Sequence, residues 1–306
     1  MNSNGRNLCA VSRVEEAVRS LADSVPALST LVKAFQELLI EEERFKTSLG
    51  PNSVTCESSL DGEKLLKGIP LASPKSVKMG EADLKRAARS LIPAIKAGFP
   101  HLGSQLDCLA QYLEHEPGKG RILAHAVLGQ ITDSVEAAAN DLGIEPDVLI
   151  FVMQRLIKPF AEHWGQGMGA CLSGALWTKG YCPICGSWPN LSFLEPPSGR
   201  RILRCSFCGH HWHFMLTVCQ FCENSDSSKL EFIFSENHPS DGAALCLQCN
   251  RYILRKDLRE CVHDIHPEVV ALELSYLDVL AQERGFVPGG LDVSPRNLKH
   301  VLGSNA

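Results

Sequence analysis

The 306-residue sequence contains no apolar run that approaches the roughly 20 residues a membrane helix needs. Its opening stretch, MNSNGRNLCAVSRVEEAVRS, offers no apolar segment of the kind a secretory leader uses. It has no excess of positive charge either: Lys and Arg total 30 against 35 Asp and Glu, a formal net charge of −5, which argues against a general nucleic-acid binder. The glycine spacing of a dinucleotide site is missing. Gly165, Gly167 and Gly169 in HWGQGMGACLSG follow a helical pattern rather than a strand and read as an irregular connector. No convincing catalytic constellation stands out. These absences predict a cytoplasmic protein, without a membrane partner, that is not an enzyme; nothing in the pattern sets an oligomeric state.

What the sequence does have is cysteine, thirteen in all. In a reducing compartment disulfides do not account for them. Eight fall within residues 182–249: Cys182, Cys185, Cys205, Cys208, Cys219, Cys222, Cys246 and Cys249. Cys9, Cys56, Cys108, Cys171 and Cys261 are scattered and read as small buried hydrophobes.

The eight form four Cys-x-x-Cys turns: CPIC, nineteen residues, CSFC, ten residues, CQFC, twenty-three residues, CLQC. Two intervening residues let one turn aim both sulfurs at one ion, and two turns complete a tetrahedron of thiolates. A dithiol redox motif has one such pair, ahead of a helix; here there are four, with no helical pattern after any. The residue after each second cysteine needs a left-handed backbone. Gly186 and Gly209 suit it, Asn250 tolerates it, and Glu223 suits it least. The simplest scheme joins consecutive turns, so that Cys182, Cys185, Cys205 and Cys208 hold one ion and Cys219, Cys222, Cys246 and Cys249 a second. The alternative is an interleaved cross-brace, first turn with third and second with fourth. Four thiolates suit zinc or a single iron, so the spacing leaves the metal open. His210, His211 and His213, and the looser Cys261, His263 and His266, are surplus to that ligand count. Trp188, Phe207, Trp212, Phe221 and Tyr252 serve either as a contact surface or as cover for the turns.

Around this array the fold class is α+β. Residues 1–178 read as a mainly α-helical domain, with a flexible Gly-, Pro- and Ser-rich stretch near 50–80. Residues 179–262 read as tandem rubredoxin- or zinc-ribbon-like four-cysteine modules, and residues 263–306 as a C-terminal helix and tail. Leu28, Leu31, Val32, Phe35, Leu38 and Leu39 make one apolar stripe. Pro93 is expected to kink or end the helix that starts at Glu81. EPGKG is expected to stop the next helix, and the run from Ile122 to Leu142 to form one helix. Between 179 and 262 the net charge is only +1, and GRRILR is the one local basic cluster, so nucleic-acid binding is disfavoured.

GYCPICGSWP, GRRILRCSFCGHHWH, VCQFC and CLQCNRYI closely resemble the formate dehydrogenase accessory (formation) protein family over about 180–257. The resemblance implies a helical body, a rubredoxin-like portion that binds iron, and a maturation factor that contacts the formate dehydrogenase catalytic subunit in the cytoplasm. One departure is Leu216, where the family often has a basic residue, and residues 1–80 match poorly. The alternatives are a rubredoxin-like one-electron carrier and a zinc-ribbon adaptor for nucleic acid or protein.

Overall fold

The computed structural model describes residues 10–50, 62–172, 176–235, 238–261 and 265–289. The helical body consists, among the described residues, of α1 (Ala10–Ser24), α2 (Ser29–Thr47), the short α3 (Gly62–Leu66), α4 (Glu81–Gly98), α5 (Gly103–His115), α6 (Pro117–Gly129), α7 (Thr132–Leu142) and α8 (Pro146–Gly169). Helical spacing dictates what is buried. Val32, Phe35, Leu38 and Leu39 of α2 face inward, as do Leu84, Ala87, Ala88, Leu91, Ile92 and Ile95 of α4. They meet Leu149, Val152, Met153 and Leu156 of α8 in one core. At its centre Phe99 meets Phe35 and Phe151 edge to face, with ring centroids 5.1 and 5.7 Å apart.

Several local expectations are corrected here. Pro93 neither ends nor breaks α4, which continues to Gly98. Its ring is exposed while Leu91, Ile92 and Ile95 beside it are buried. Packing of that face outweighs the roughly 3 kcal/mol an interior proline costs. EPGKG does stop α5, which ends at His115, but it also opens the next helix, because Pro117 occupies a first-turn position of α6. The run from Ile122 to Leu142 is two helices, separated at Gln130 in a left-handed conformation (φ 54°), and Ile122 and Ile131 point to solvent. Gly165, Gly167 and Gly169 are helical residues of α8 rather than a connector.

From Lys179 the chain builds one seven-stranded sheet from β1 (Pro189–Leu194), β2 (Arg201–Cys205), β3 (His211–His213), β4 (Leu230–Phe234), β5 (Asp241–Cys246), β6 (Arg251–Asp257) and β7 (Val287–Pro288). The order is β3-β2-β1-β6-β5-β4, with β7 also on β6. This is one antiparallel meander repeated twice and laid edge to edge. The registers match: Arg204 pairs with His211 and Leu245 with Tyr252, in each case the residue before a cysteine turn with the third residue after it. Pro189 pairs with Cys205 and Leu230 with Cys246 in the same way. The seam is the parallel pairing of β1 with β6, from Leu191 opposite Leu254 to Leu194 opposite Asp257.

The C-terminal helical segment is α9 (Pro267–Glu273) and α10 (Ser275–Glu283), which meet at Leu274. Val270, Leu274, Leu277 and Ala281 cover one sheet face, over Leu191, Phe193, Ala243, Leu245, Tyr252 and Leu254. On the other face Leu203, Trp212 and Ile253 pack with the first pair of cysteine turns against Trp164 and Met168 of α8. Residues 51–61 and 290–306 lie outside the described residues. The segment just after α3 is tied to the first cysteine turn. Leu71 N donates to the Pro183 carbonyl at 2.9 Å, Ala72 N to that of Ile184 at 2.8 Å, and the Tyr181 hydroxyl to that of Gly68 at 2.7 Å. No helix among the described residues is long and apolar enough to cross a membrane.

Candidate metal centres

Three of the four cysteine turns close on themselves through a backbone hydrogen bond before any ion is considered. Gly186 N donates to Cys182 O, Glu223 N to Cys219 O and Asn250 N to Cys246 O, each at 2.9 Å. The residue after every second cysteine is left-handed: Gly186 (φ 75°), Gly209 (φ 67°), Glu223 (φ 59°) and Asn250 (φ 59°). Glu223, the poorest fit by residue type, therefore adopts the same backbone as the rest. Phe207 N and Cys208 N both donate to the Cys205 sulfur at 3.4 Å, the polarity a thiolate requires.

The turns assemble consecutively, not interleaved. Cys182, Cys185, Cys205 and Cys208 form one cluster, and Cys219, Cys222, Cys246 and Cys249 the other, with all sulfurs of a cluster within 4.8 Å of one another. Cys182–Cys208, Cys185–Cys205 and Cys185–Cys208 are 3.6, 3.5 and 3.7 Å apart, and Cys219–Cys249 and Cys222–Cys246 are 3.8 and 3.7 Å apart. A tetrahedron with metal–sulfur bonds of about 2.3 Å has edges of about 3.8 Å, whereas a disulfide needs about 2.05 Å. Both sets therefore fit one tetrahedral ion each. Burial pushes the Cys182 thiol well up and the Cys219 thiol up to about 11, whereas hydrogen bonds from its neighbours pull Cys185 down; a bound cation would favour the thiolate at all four positions.

The chain is similar to known proteins. Residues 181–215 match the family model described as FdhE, central domain. The chain is 25% identical over 270 residues to the FdhE homolog of Aquifex aeolicus (strain VF5), covering 87% of this chain and 89% of that one. It is 25% identical over 207 residues to the FdhE homolog of Pseudomonas aeruginosa, covering 64% and 63%. The crystal structure of the FdhE protein from Pseudomonas aeruginosa has the same fold, with a TM-score of 0.61 over 92% of this chain and 94% of that one at 20% identity.

The chain is similar to FdhE proteins along most of its length and shares their fold.

The two centres of this chain differ in exposure. Cys182, Cys185, Cys205 and Cys208 are at most 4% exposed, whereas Cys222 of the second centre is exposed and Cys249 half-buried. The first centre is pressed against the body. A Cβ on Gly165 of α8 would lie 2.9 Å from Cys208 Cβ and closer still to the Cys208 carbonyl oxygen. This close approach accounts for a glycine inside the helix, and sequence reasoning read the same residue as a loop signal. Gly180 does the equivalent for the third turn, where a Cβ would lie 2.6 Å from the Gln220 carbonyl carbon.

A buried ionic network joins the body, β2 and α9. Arg204 contacts Glu162 at 2.8 Å and Glu268 at 3.0 Å, Lys158 reaches both carboxylates, and Arg155 pairs with Glu42 and with Glu268. Burial pushes Glu162 upward, but Lys158, Lys46 and Arg204 outweigh it and hold its pKa at about 2. At Glu42 burial wins over Arg155 and Lys158, and the pKa rises to about 7. Arg204 and Glu162 of this network, with Lys46, line a cavity of about 710 Å³ together with His210, His211 and His266. Burial, then Arg204, push His211 down to about 4. None of these histidines, nor the exposed His213, belongs to a metal cluster among the described residues; His263 lies outside them.

The aromatic residues resolve into cover for the turns. Trp212 is 6% exposed, with its indole N–H donating to the Lys179 carbonyl at 3.2 Å. Trp188 links Tyr181 and Phe221 edge to face at 5.7 and 5.6 Å, Phe207 packs between the two cores, and Tyr252 is buried against α10. Of the scattered cysteines, Cys171 is buried and disulfide-bonded, Cys108 is half-buried and Cys261 exposed; Cys9 and Cys56 lie outside the described residues. The expectation of small buried hydrophobes therefore holds for Cys171, in part for Cys108, which packs against the helical core, and not for Cys261.

Proposed function

We propose that this chain is a non-enzymatic maturation factor that binds the catalytic subunit of formate dehydrogenase in the cytoplasm. The single observation that carries the reading is the pair of closed four-sulfur centres set in an FdhE-like sheet and packed on a helical body. Four protein ligands per ion leave no open position for substrate, so these centres favour a role in shape or electron transfer over hydrolysis. Bound zinc would supply shape alone, and bound iron would add reversible one-electron chemistry. The protein's own residues do the rest. The turns hold four thiolates together, Gly165 lets α8 rest on the first centre, and Arg204 ties β2 to Glu162 and Glu268. Co-purification with the catalytic subunit, paired with formate dehydrogenase activity in a deletion strain, tests the proposal. Absence of association together with normal activity overturns it.

A rubredoxin-like electron carrier is the second reading, favoured by the exposed Cys222 at the second centre. It requires iron–thiolate absorption and reversible reduction. A nucleic-acid adaptor is weaker. In the one basic cluster Arg201 and Arg204 are 5% and 4% exposed, and Arg200 is engaged by Glu195 at 2.6 Å.

A further inference from the structure

The sheet ends at β4, the last strand in its order, whose outer edge has no strand neighbour among the described residues. An edge strand offers a row of unpaired backbone donors and acceptors, and soluble proteins usually guard such edges with lysine, proline or a bulge. β4 reads LEFIF and has none of these. Its Phe232 and Phe234 are 42% and 54% exposed and stack on each other with centroids 6.2 Å apart. Leu216, itself exposed, lines a cleft with Phe232, and Met215 beside it in the chain is exposed as well.

This ledge also carries a cation. The Arg255 guanidinium lies over the Phe232 and Phe234 rings, 4.8 and 5.1 Å from their centroids. It reaches them from β6 across β5 because the residue between is Gly242, paired with Phe234 on one side and Arg255 on the other. A Cβ at Gly242 would lie 3.0 Å from the Ile233 carbonyl oxygen and 3.5 Å from the Phe234 ring. Arg255 has no carboxylate partner among the described residues. The nearby Asp257 is held by Arg259 at 2.6 Å. Neighbouring Arg201 is committed inward, to Gln220 at 2.5 Å and to the Met215 and Val218 carbonyls.

We propose that β4 and this aromatic–arginine ledge are the docking surface for the partner subunit, which adds an extended segment to the sheet edge and sets a carboxylate side chain on Arg255. The proposal rests on the maturation-factor reading above. Main-chain pairing supplies affinity in this mode, and alternate side chains supply specificity. Charge selects the occupant. Residues 290–306 of this chain carry one acid, Asp292, against Arg296 and Lys299, and a second copy would bring a second Arg255 to the same ledge. An acidic segment of a different protein complements it.

The test compares wild type, Phe232→Ser/Phe234→Ser and Arg255→Glu as full-length, metal-loaded proteins. Binding to the purified formate dehydrogenase catalytic subunit is measured by biolayer interferometry at two salt concentrations, with bound metal and melting temperature as folding controls. The double variant is expected to bind about thirtyfold more weakly or worse, as for loss of a central hot spot. Arg255→Glu is expected to weaken binding about tenfold and to flatten its salt dependence, with metal content unchanged. Undiminished binding by both variants overturns the surface alone. No binding by the wild type overturns the functional reading and the surface with it. A wild-type dimer that Phe232→Ser/Phe234→Ser converts to monomer makes a second copy the occupant and overturns the heterologous partner.

Discussion

Replacing Gly165 with alanine probes how tightly the helical body is fitted to the first metal centre. The new Cβ would lie 2.9 Å from Cys208 Cβ and 3.3 Å from its carbonyl carbon. Carbon atoms in good contact are about 3.5–4.0 Å apart, so the turn and α8 must separate by roughly 0.6 Å or more. Neither side yields cheaply. Cys208 is a candidate ligand whose position the ion fixes, and α8 is anchored in the core by Leu149, Val152, Met153 and Leu156. Overpacking of this kind costs about 1–3 kcal/mol, and the better helix propensity of alanine returns about 1 kcal/mol. The net is a loss of up to about 2 kcal/mol, or a melting temperature lower by up to several degrees, with faster release of the first ion to a chelator. Gly118→Ala is the control. Gly118 also lies in a helix, but its Cβ would meet only Glu81 Oε1, at an ordinary 3.6 Å. That variant should be neutral or slightly stabilised. If Gly165→Ala gains stability as Gly118→Ala does, the close seating of α8 on the centre is wrong.

Further predictions concern the network and the second centre. Arg204→Met leaves Glu162 and Glu268 short of a partner and should cost about 3 kcal/mol or more in chemical denaturation at neutral pH. Because Glu162 is held at about 2, below its ordinary value near 4.5, its stabilisation is present above pH 4.5 and is lost as pH falls toward 2. The Arg204→Met variant should therefore acid-unfold at a higher pH than wild type, and an unchanged acid midpoint counts against the network. Glu42 has the opposite sign. Its folded pKa of about 7 means stability is lost as pH rises from 4.5 through 7, so Glu42→Gln should be least harmful, relative to wild type, at pH 8. A chelator should strip the second centre first, since Cys222 is exposed while the first centre's cysteines are buried; equal rates from both centres would refute this.

The metal array was legible because its logic is local. A two-residue spacing dictates the turn; consecutive pairing was the simplest scheme, but gaps of nineteen, ten and twenty-three residues do not by themselves exclude a cross-brace. Glu223 was harder to read because the sulfur geometry imposes a left-handed backbone that its residue type resists. The fusion of both modules into one sheet depends on the β1–β6 seam, a pairing across about sixty residues with no sequence signature of its own. The glycines of α8 misled because a helix interior that tolerates glycine looks like a loop until its neighbour, Cys208, is in view. Pro93 misled for the mirror reason: the strength of the packing around Leu91 and Ile95 is a tertiary quantity. Phe232 and Phe234 alternate with Glu231 and Ile233 like any half-buried strand, and only the sheet order exposes them as an edge.

The account turns on two closed four-thiolate centres with consecutive ligand sets. Native mass spectrometry of the purified full-length protein, beside Cys182→Ser and Cys246→Ser, tests this directly. The account predicts two ions in the wild type and one in each variant, with Cys182→Ser retaining the second-centre ion and Cys246→Ser the first-centre ion. A wild type holding one ion, or a single substitution that empties both centres, would contradict it.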